Sequence, residues 1–271
     1  MKISELLTSP FKEERRMLTV EQKRPYPRML YKYRTGEEEY LPSLLIENEL
    51  YLASRHSFND PMDVMFHALP SVSDEARKEN ILRIVVEQGG SPMDYMRMMQ
   101  TYDSAETEAA AFKKIINHIA DTMGIFSFAE TPRNLLMWAH YAHNHEGVCF
   151  QYYLPGNFSD FENVTPVNYS NQVTQVEPHS REKAMFNAFC SKSIDWQYEE
   201  EWRIIKAKHA KKKISIQPGS LIGIIYGARC TKAIQERIKH MINERVAKGM
   251  NKPYEYDAHL AYEKALSEIN I

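Results

Sequence analysis

The stretch D-W-Q-Y-E-E-E-W-R-I-I, Asp195 to Ile205, decides how the rest of the chain reads. It has the aromatic and apolar content of a strand, yet three consecutive glutamates and an arginine interrupt it. Side chains of a strand alternate between its two faces. That rule puts Tyr198, Glu200, Trp202 and Ile204 on one side and Glu199, Glu201, Arg203 and Ile205 on the other. Glu199 and Glu201 then stand roughly 6.5–7 Å apart, from the rise per residue of a strand. Like charges so placed repel, so either water screens them or a cation uses them. One reading is an edge strand kept soluble by charge, with Arg203 offsetting Glu201. The other is an acidic site.

Upstream, Met29 to Arg34 reads as an aromatic-rich strand stopped by Thr35-Gly36. A short amphipathic helix follows over Leu41 to Leu50, then a strand at Leu50 to Ala53. Ser57-Phe58-Asn59-Asp60-Pro61 reads as a turn into a helix, with Asp60 as N-cap and Pro61 at the first helical position. Apolar residues recur at helical spacing from about Ser73 to Met123, broken at Gly89 to Pro92. Gly124 to Phe128 is a strand. Asn134 caps a helix that Gly147 stops, and Val148 to Tyr153 is the next strand. Val164 to Tyr169 is a further strand, and Arg181 to Cys190 a helix. Downstream, a basic run (206–213) leads to Ile214–Ile216. Leu221 to Gly227 is the most apolar strand and is expected at the centre of the sheet. An amphipathic helix over Ala233 to Ala247 and a strand near Tyr254–Tyr262 close the chain. These elements predict an α+β fold with a mixed or antiparallel sheet. Residues 1–28 form a lead-in and 29–271 one domain, with a helical insertion at about 73–123.

Hydrophobic content of 43% and charged content of 26% over 271 residues suit a soluble globular protein. A net charge of −2 gives no whole-molecule attraction to nucleic acid or to an anionic membrane. Cys149, Cys190 and Cys230 lie far apart with no C-x-x-C spacing, which argues against a zinc ribbon or a disulfide framework. With no signal-peptide core and no long apolar run, a cytoplasmic location and no membrane partner are expected.

Four landmarks stand in order: L-Y-K-Y-R at 30–34, F-N-D-P at 58–61, M-W-A-H-Y-A-x-x-H-x-G at 137–147 and W-x-Y-E-x-E-W-R at 196–203. Together they resemble an uncharacterised bacterial family of proteins of unknown function, the one numbered 2971. The resemblance implies a soluble bacterial protein and, for some members, a role in defence against phage.

The arrangement also looks like an ADP-ribosyltransferase site. That superfamily takes an Arg, His or Tyr from an early strand, a Ser, Thr or Tyr from a middle strand and a Glu from a late one, often as E-x-E. Arg34, Ser127 and Glu199-x-Glu201 stand here in that order. Cleaving the bond between nicotinamide and ribose in NAD leaves an oxocarbenium-like cation, which a fixed carboxylate, Glu201, would stabilise. Glu199 would take a proton from the acceptor. Arg34 would meet the dinucleotide phosphates, Ser127 would orient ribose, and Tyr31 or Tyr33 would stack on a flat ring. Arg203 would keep Glu201 ionised, and Trp138 and His140 complete the candidate binding set. NAD enters as substrate, and no metal is expected.

Competing readings come from the same residues. Arg34 pairs with Glu37, Glu38 or Glu39 at the surface, and Ser127, Tyr31 and Tyr33 are ordinary strand residues. His140, His143 and His145 form a metal-dependent hydrolase or nuclease site, since imidazoles at i and i+3 share a helix face. A third reading is a non-catalytic sensor or binding module, in which the basic run touches the phosphate backbone of a nucleic acid. The absence of a G-x-G-x-x-G or a P-loop leaves a Rossmann or P-loop nucleotide site without support.

Overall fold

The computed structural model describes residues 27–154, 164–178 and 181–258. The expected lead-in at 1–26 and the end of the last expected strand, beyond 258, lie outside the described residues.

A seven-stranded mixed sheet organises the molecule. Its strands are β1 (Met29–Arg34), β4 (Gly124–Ala129), β5 (Val148–Tyr153), β6 (Val164–Pro166), β10 (Glu201–Lys206), β12 (Leu221–Tyr226) and β13 (Tyr254–Asp257). They run in the order β13-β12-β5-β1-β4-β10-β6. All neighbours are antiparallel except β12 and β13. The remaining strands are β2 (Glu49–Leu52), β3 (Phe66–Ala68), β7 (Asn168–Tyr169), β8 (Thr174–Val176), β9 (Ser191–Lys192) and β11 (Lys212–Ser215). They pair in twos as β2 with β11, β3 with β8 and β7 with β9. The fold is thus α+β with a mixed sheet. Among the described residues no helix is long and apolar enough to cross a membrane.

One face of the sheet carries Leu30, Phe126, Phe128, Phe150, Trp202, Ile204 and Ile224. Helix α1 (Leu41–Leu45), β2 and the last helix α7 (Lys232–Ala247) cover it with Leu44, Leu45, Leu52, Ile238 and Met241. The other face packs Tyr33, Ala129 and Cys149 against Met137 and Trp138 of α5 (Leu135–Tyr141). Between β3 and β4 run three helices, α2 (Asp74–Glu87), α3 (Pro92–Thr101) and α4 (Ala105–Thr122), where the helical spacing puts them. Ser73, Ser91 and Ser104 each cap one of them by accepting from a backbone N–H of the first turn. Helix α4 joins this segment to the sheet through Phe112 and Ile116, which pack near Ile125, Met185 and Phe189, the last two on α6 (Arg181–Phe189).

Several expectations need correction. The strand at β12 is apolar on both sides because α7 covers one face while Ile225 packs with Cys149 and Trp138 on the other. It is the second strand from an edge, and β1 holds the centre. No helix follows Pro61; Asp60 Oδ1 accepts from the Met62 amide in a turn that passes Val64 at φ 59° and leads into β3. The deciding stretch is a strand only from Glu201 onward. Residues Ile194–Glu199 form a 3-10 turn, capped by Ser193, and Glu200 ends it in the left-handed region at φ 45°.

Gly147 is not the helix stop its position suggests, since α5 ends at Tyr141. A Cβ at Gly147 would lie 2.1 Å from the Arg34 carbonyl oxygen, so the glycine lets the chain pass against the end of β1. Gly147→Ala is expected to cost about 1–3 kcal/mol, the usual penalty of forced overpacking. Chemical denaturation measures it; an unchanged midpoint would show that β1 yields freely there.

Candidate functional site

Strands β1 and β4 are neighbours in the sheet, yet their register holds at one pair, Tyr31 with Ala129. By contrast β1 stays paired with β5 through all six of its residues, and β10 with β4 through six. Past Tyr31 the two strands therefore splay, and a cleft of about 460 Å³ opens in the split. Tyr31 to Arg34 line one side of it and Ile125 to Ala129 the other; Ser57 to Asp60, Tyr141, Lys192, Glu199 and Glu201 close it around the rim. That volume lies within the range typical of small-molecule sites.

The acidic residues face inward. Glu201 opposes Ala129 and Arg203 opposes Ser127 across β4 and β10, so the alternation expected of the strand holds from Glu201 on. Glu199 reaches the same place from the preceding 3-10 turn. Both carboxylates converge on Lys192 of β9, whose Nζ lies 2.5 Å from Glu199 and 3.2 Å from Glu201, with Asp63 at 3.7 Å. Lys192 Nζ also sits 4.9 Å from the centre of the Trp196 ring. Tyr141 donates to Glu199 at 2.6 Å.

Behind this cluster Arg203 is fully buried. Its guanidinium donates twice to Glu201 at 2.7 and 2.9 Å, twice to Asp63 at 2.9 and 2.6 Å, and once to the Phe189 carbonyl. A buried charge is tolerated when it is paired and fully hydrogen-bonded. Three carboxylates (Asp63, Glu199 and Glu201) thus meet two cations (Lys192 and Arg203), leaving one negative charge in excess.

Environment pushes the two glutamates apart. Burial opposes ionisation of Glu201, but the charges of Arg203 and Lys192 and hydrogen bonds from Arg203 and Ser127 prevail and hold its carboxyl well below the usual range. Glu199 moves the other way: burial and the Glu201 charge raise its pKa, against the pull of Lys192 and the Tyr141 hydroxyl. Two interacting carboxyls so separated titrate as a fixed anion and a proton carrier. Burial works against the Lys192 charge, but the surrounding carboxylates outweigh it and keep the ammonium protonated.

The cleft therefore brings together Arg34, Ser127, Glu199 and Glu201, with Tyr31 and Tyr33 on its wall. Arg34 does not pair with Glu37, Glu38 or Glu39. Its guanidinium lies 5.1 Å from the Tyr40 ring centre, and its buried Nε has no hydrogen-bond partner among the described residues. Glu38 is engaged with the Thr35 and Gly36 amides. The Tyr33 ring is committed to an edge contact with Trp138 and its hydroxyl to the Thr131 carbonyl.

Other candidate binders fall elsewhere. Arg203 lies behind the acidic pair rather than on the cleft wall. Trp138 is buried, donating to the Pro132 carbonyl, and His140 is exposed against the Tyr198 hydroxyl. The three histidines do not converge. His143 approaches Glu146, and His145 stacks on Trp138. Both have left-handed backbone, with Asn144 between them. Among the described residues no group of three or more His, Cys, Asp and Glu side chains is placed to hold a metal ion. The lysines of the basic run are exposed from the end of β10 through the connecting turn to the start of β11, with Lys213 paired to Glu49.

Sequence reasoning missed Lys32, Lys192, Asp63 and Tyr141. Lys32 is the most unusual of them. Burial and the charge of Arg34 lower its ammonium to about 7, against the opposing pull of Glu201 and Glu199. In the unfolded chain a lysine holds its proton to about pH 10.4. Between those two values the unfolded chain binds one more proton than the folded one, so stability rises with pH across that window. Lys32→Met removes this penalty. It is expected to raise Tm at about pH 6, where the penalty is complete, and to give little gain near about pH 10. An equal gain at both pH values would show that Lys32 has an ordinary pKa.

Neither the comparison with curated proteins nor that with solved structures returned a match. The landmarks at 30–34 and 58–61 lie outside the segment that matches a family model, which runs from α5 into β10. That segment, residues 137–204, carries Tyr141, Lys192, Glu199, Glu201 and Arg203 and matches the model of an uncharacterised family, described as Protein of unknown function (DUF2971).

Proposed function

We propose that the cleft binds NAD as a substrate and breaks its nicotinamide–ribose bond, as an ADP-ribosyltransferase does. The observation that carries this reading is the meeting of Arg34, Ser127, Glu199 and Glu201 on the walls of one cleft, from three separate parts of the chain. In the reaction the electron pair of the C1′–N bond leaves with nicotinamide, and positive charge develops on the ribose. The excess negative charge of the cluster, anchored at Glu201, lies where that cation forms. Fixed charge of this kind acts strongly because it needs no rearrangement as the reaction proceeds. An acceptor then attacks C1′, and its proton passes to Glu199, whose raised pKa suits it to hold one. Ser127 orients a ribose hydroxyl, and Arg34, whose Nε has no hydrogen-bond partner among the described residues, meets the pyrophosphate.

The test is release of nicotinamide from NAD by the purified protein, followed by chromatography. Arg34→Ala is expected to raise KM for NAD by about 10- to 100-fold, the worth of a charged hydrogen bond, with a smaller change in kcat. No release from NAD by the wild type, alone or with a cell extract as source of acceptor, would remove the reading.

A further inference from the structure

The cleft carries two cations that the acidic cluster does not use. Lys192 and Arg203 take up Asp63, Glu199 and Glu201 between them. Lys32 and Arg34, two residues apart on β1, make no ion pair among the described residues. Lys32 Nζ donates to the Ser127 carbonyl at 2.5 Å and lies 4.8 Å from the centre of the Phe126 ring. The Arg34 guanidinium faces the same ring at 5.9 Å, with its Nε unpartnered among the described residues. Splaying of β1 from β4 leaves both side chains on the cleft wall. A desolvated amine beside a second cation is a known way to make a lysine nucleophilic near neutral pH.

We propose that Lys32 is a reactive amine that forms an imine with an aldehyde-bearing ligand, whose phosphate Arg34 takes. The ligand class is a phosphorylated aldose in its open-chain form. The nitrogen lone pair attacks the carbonyl carbon, and the C=O π electrons move to oxygen. The resulting carbinolamine loses water, which carries away the carbonyl oxygen and the two amine hydrogens, leaving C=N. No oxidant or reductant takes part. Facing charges are Arg34 on the same strand, Lys192 on β9 and the Glu199–Glu201 pair. This step shares the cleft and Arg34 with the transferase reading but needs no cleavage of NAD, so the two are tested by separate assays.

Ribose 5-phosphate with sodium cyanoborohydride at neutral pH traps such an imine as a stable secondary amine, located by peptide mass spectrometry. At pH 7 an amine of pKa about 7 is about half neutral, and an ordinary lysine only to about four parts in ten thousand. Lys32 is therefore expected to be labelled at least about tenfold faster than exposed lysines such as Lys113 and Lys239. In Arg34→Ala, labelling by ribose 5-phosphate is expected to fall to the rate given by ribose itself. Lys32→Arg, which keeps a cation on the strand, should lose the fast-labelled peptide and no other. Labelling of Lys32 no faster than that of the exposed lysines would overturn the proposal. Equal rates with ribose and ribose 5-phosphate in the wild type would remove Arg34 from it. Nicotinamide release, read in a separate assay, distinguishes failure here from failure of the transferase reading.

Discussion

Glu201→Gln is expected to lower nicotinamide release by about 10²- to 10³-fold, the usual effect of deleting a preorganised charge-stabilising group. The substitution keeps the shape of the side chain and removes the charge that the transferase reading sets against the ribose cation. The five-charge cluster becomes neutral overall, with Arg203 and Lys192 balanced by Asp63 and Glu199. On the transferase reading the loss should therefore fall on kcat, because the phosphate site assigned to Arg34 is untouched. Stability will fall too, by about 1.5–3 kcal/mol if the charged hydrogen bonds to Arg203 weaken as such bonds do. Rates are therefore compared per folded molecule, with a thermal melt of each variant. Wild-type turnover by well-folded Glu201→Gln would take Glu201 out of the chemistry. Glu199→Gln offers a contrast, since it is expected to slow transfer to an acceptor through loss of the proton carrier, by about 10²-fold or more.

The second large effect belongs to Arg203→Met. The variant leaves Asp63 and Glu201 buried with only Lys192 nearby, and losing one partner of a buried ion pair typically costs about 3–5 kcal/mol. The pH dependence identifies the cause. In the wild type the low pKa of Glu201 contributes stability above its unfolded value near about 4.3, and that stability is lost as the pH falls through the folded value. Without Arg203 that depression is relieved, and the buried carboxyls take up protons on acidification. The gap in Tm between variant and wild type should therefore narrow from pH 7 toward about pH 4. A gap that stays constant would point to lost packing against Phe58 rather than to unpaired charge.

The parts of this site that were legible in the sequence follow from local rules. Strand alternation put Glu201 and Arg203 on one face, and element order put Arg34 and Ser127 on earlier strands. Glu199 reaches the side that alternation predicts, but from a 3-10 turn and not from a strand. A left-handed Glu200 turns the chain there, and nothing in a glutamate announces that conformation as a glycine or asparagine would. Lys192 and Asp63 were invisible because their importance lies in distant partners. Lys32 was passed over between two tyrosines, since a strand period says which face a residue takes but not where two strands part. The histidines show the converse, a spacing suggestive of metal that the backbone after Tyr141 turns to other uses.

The pairing of Asp63 with Arg203 bridges 140 positions of sequence, and this bears on the order in which the molecule is assembled. Contacts so remote are costly to close early and tend to form late. During synthesis the segment around Asp63 emerges well before β10 exists to receive it. Until then its carboxylate remains hydrated, and the pocket it will help to shape has no floor. The cleft is thus complete only with the last third of the chain, and an N-terminal fragment, however well its helices form, would lack its acidic wall.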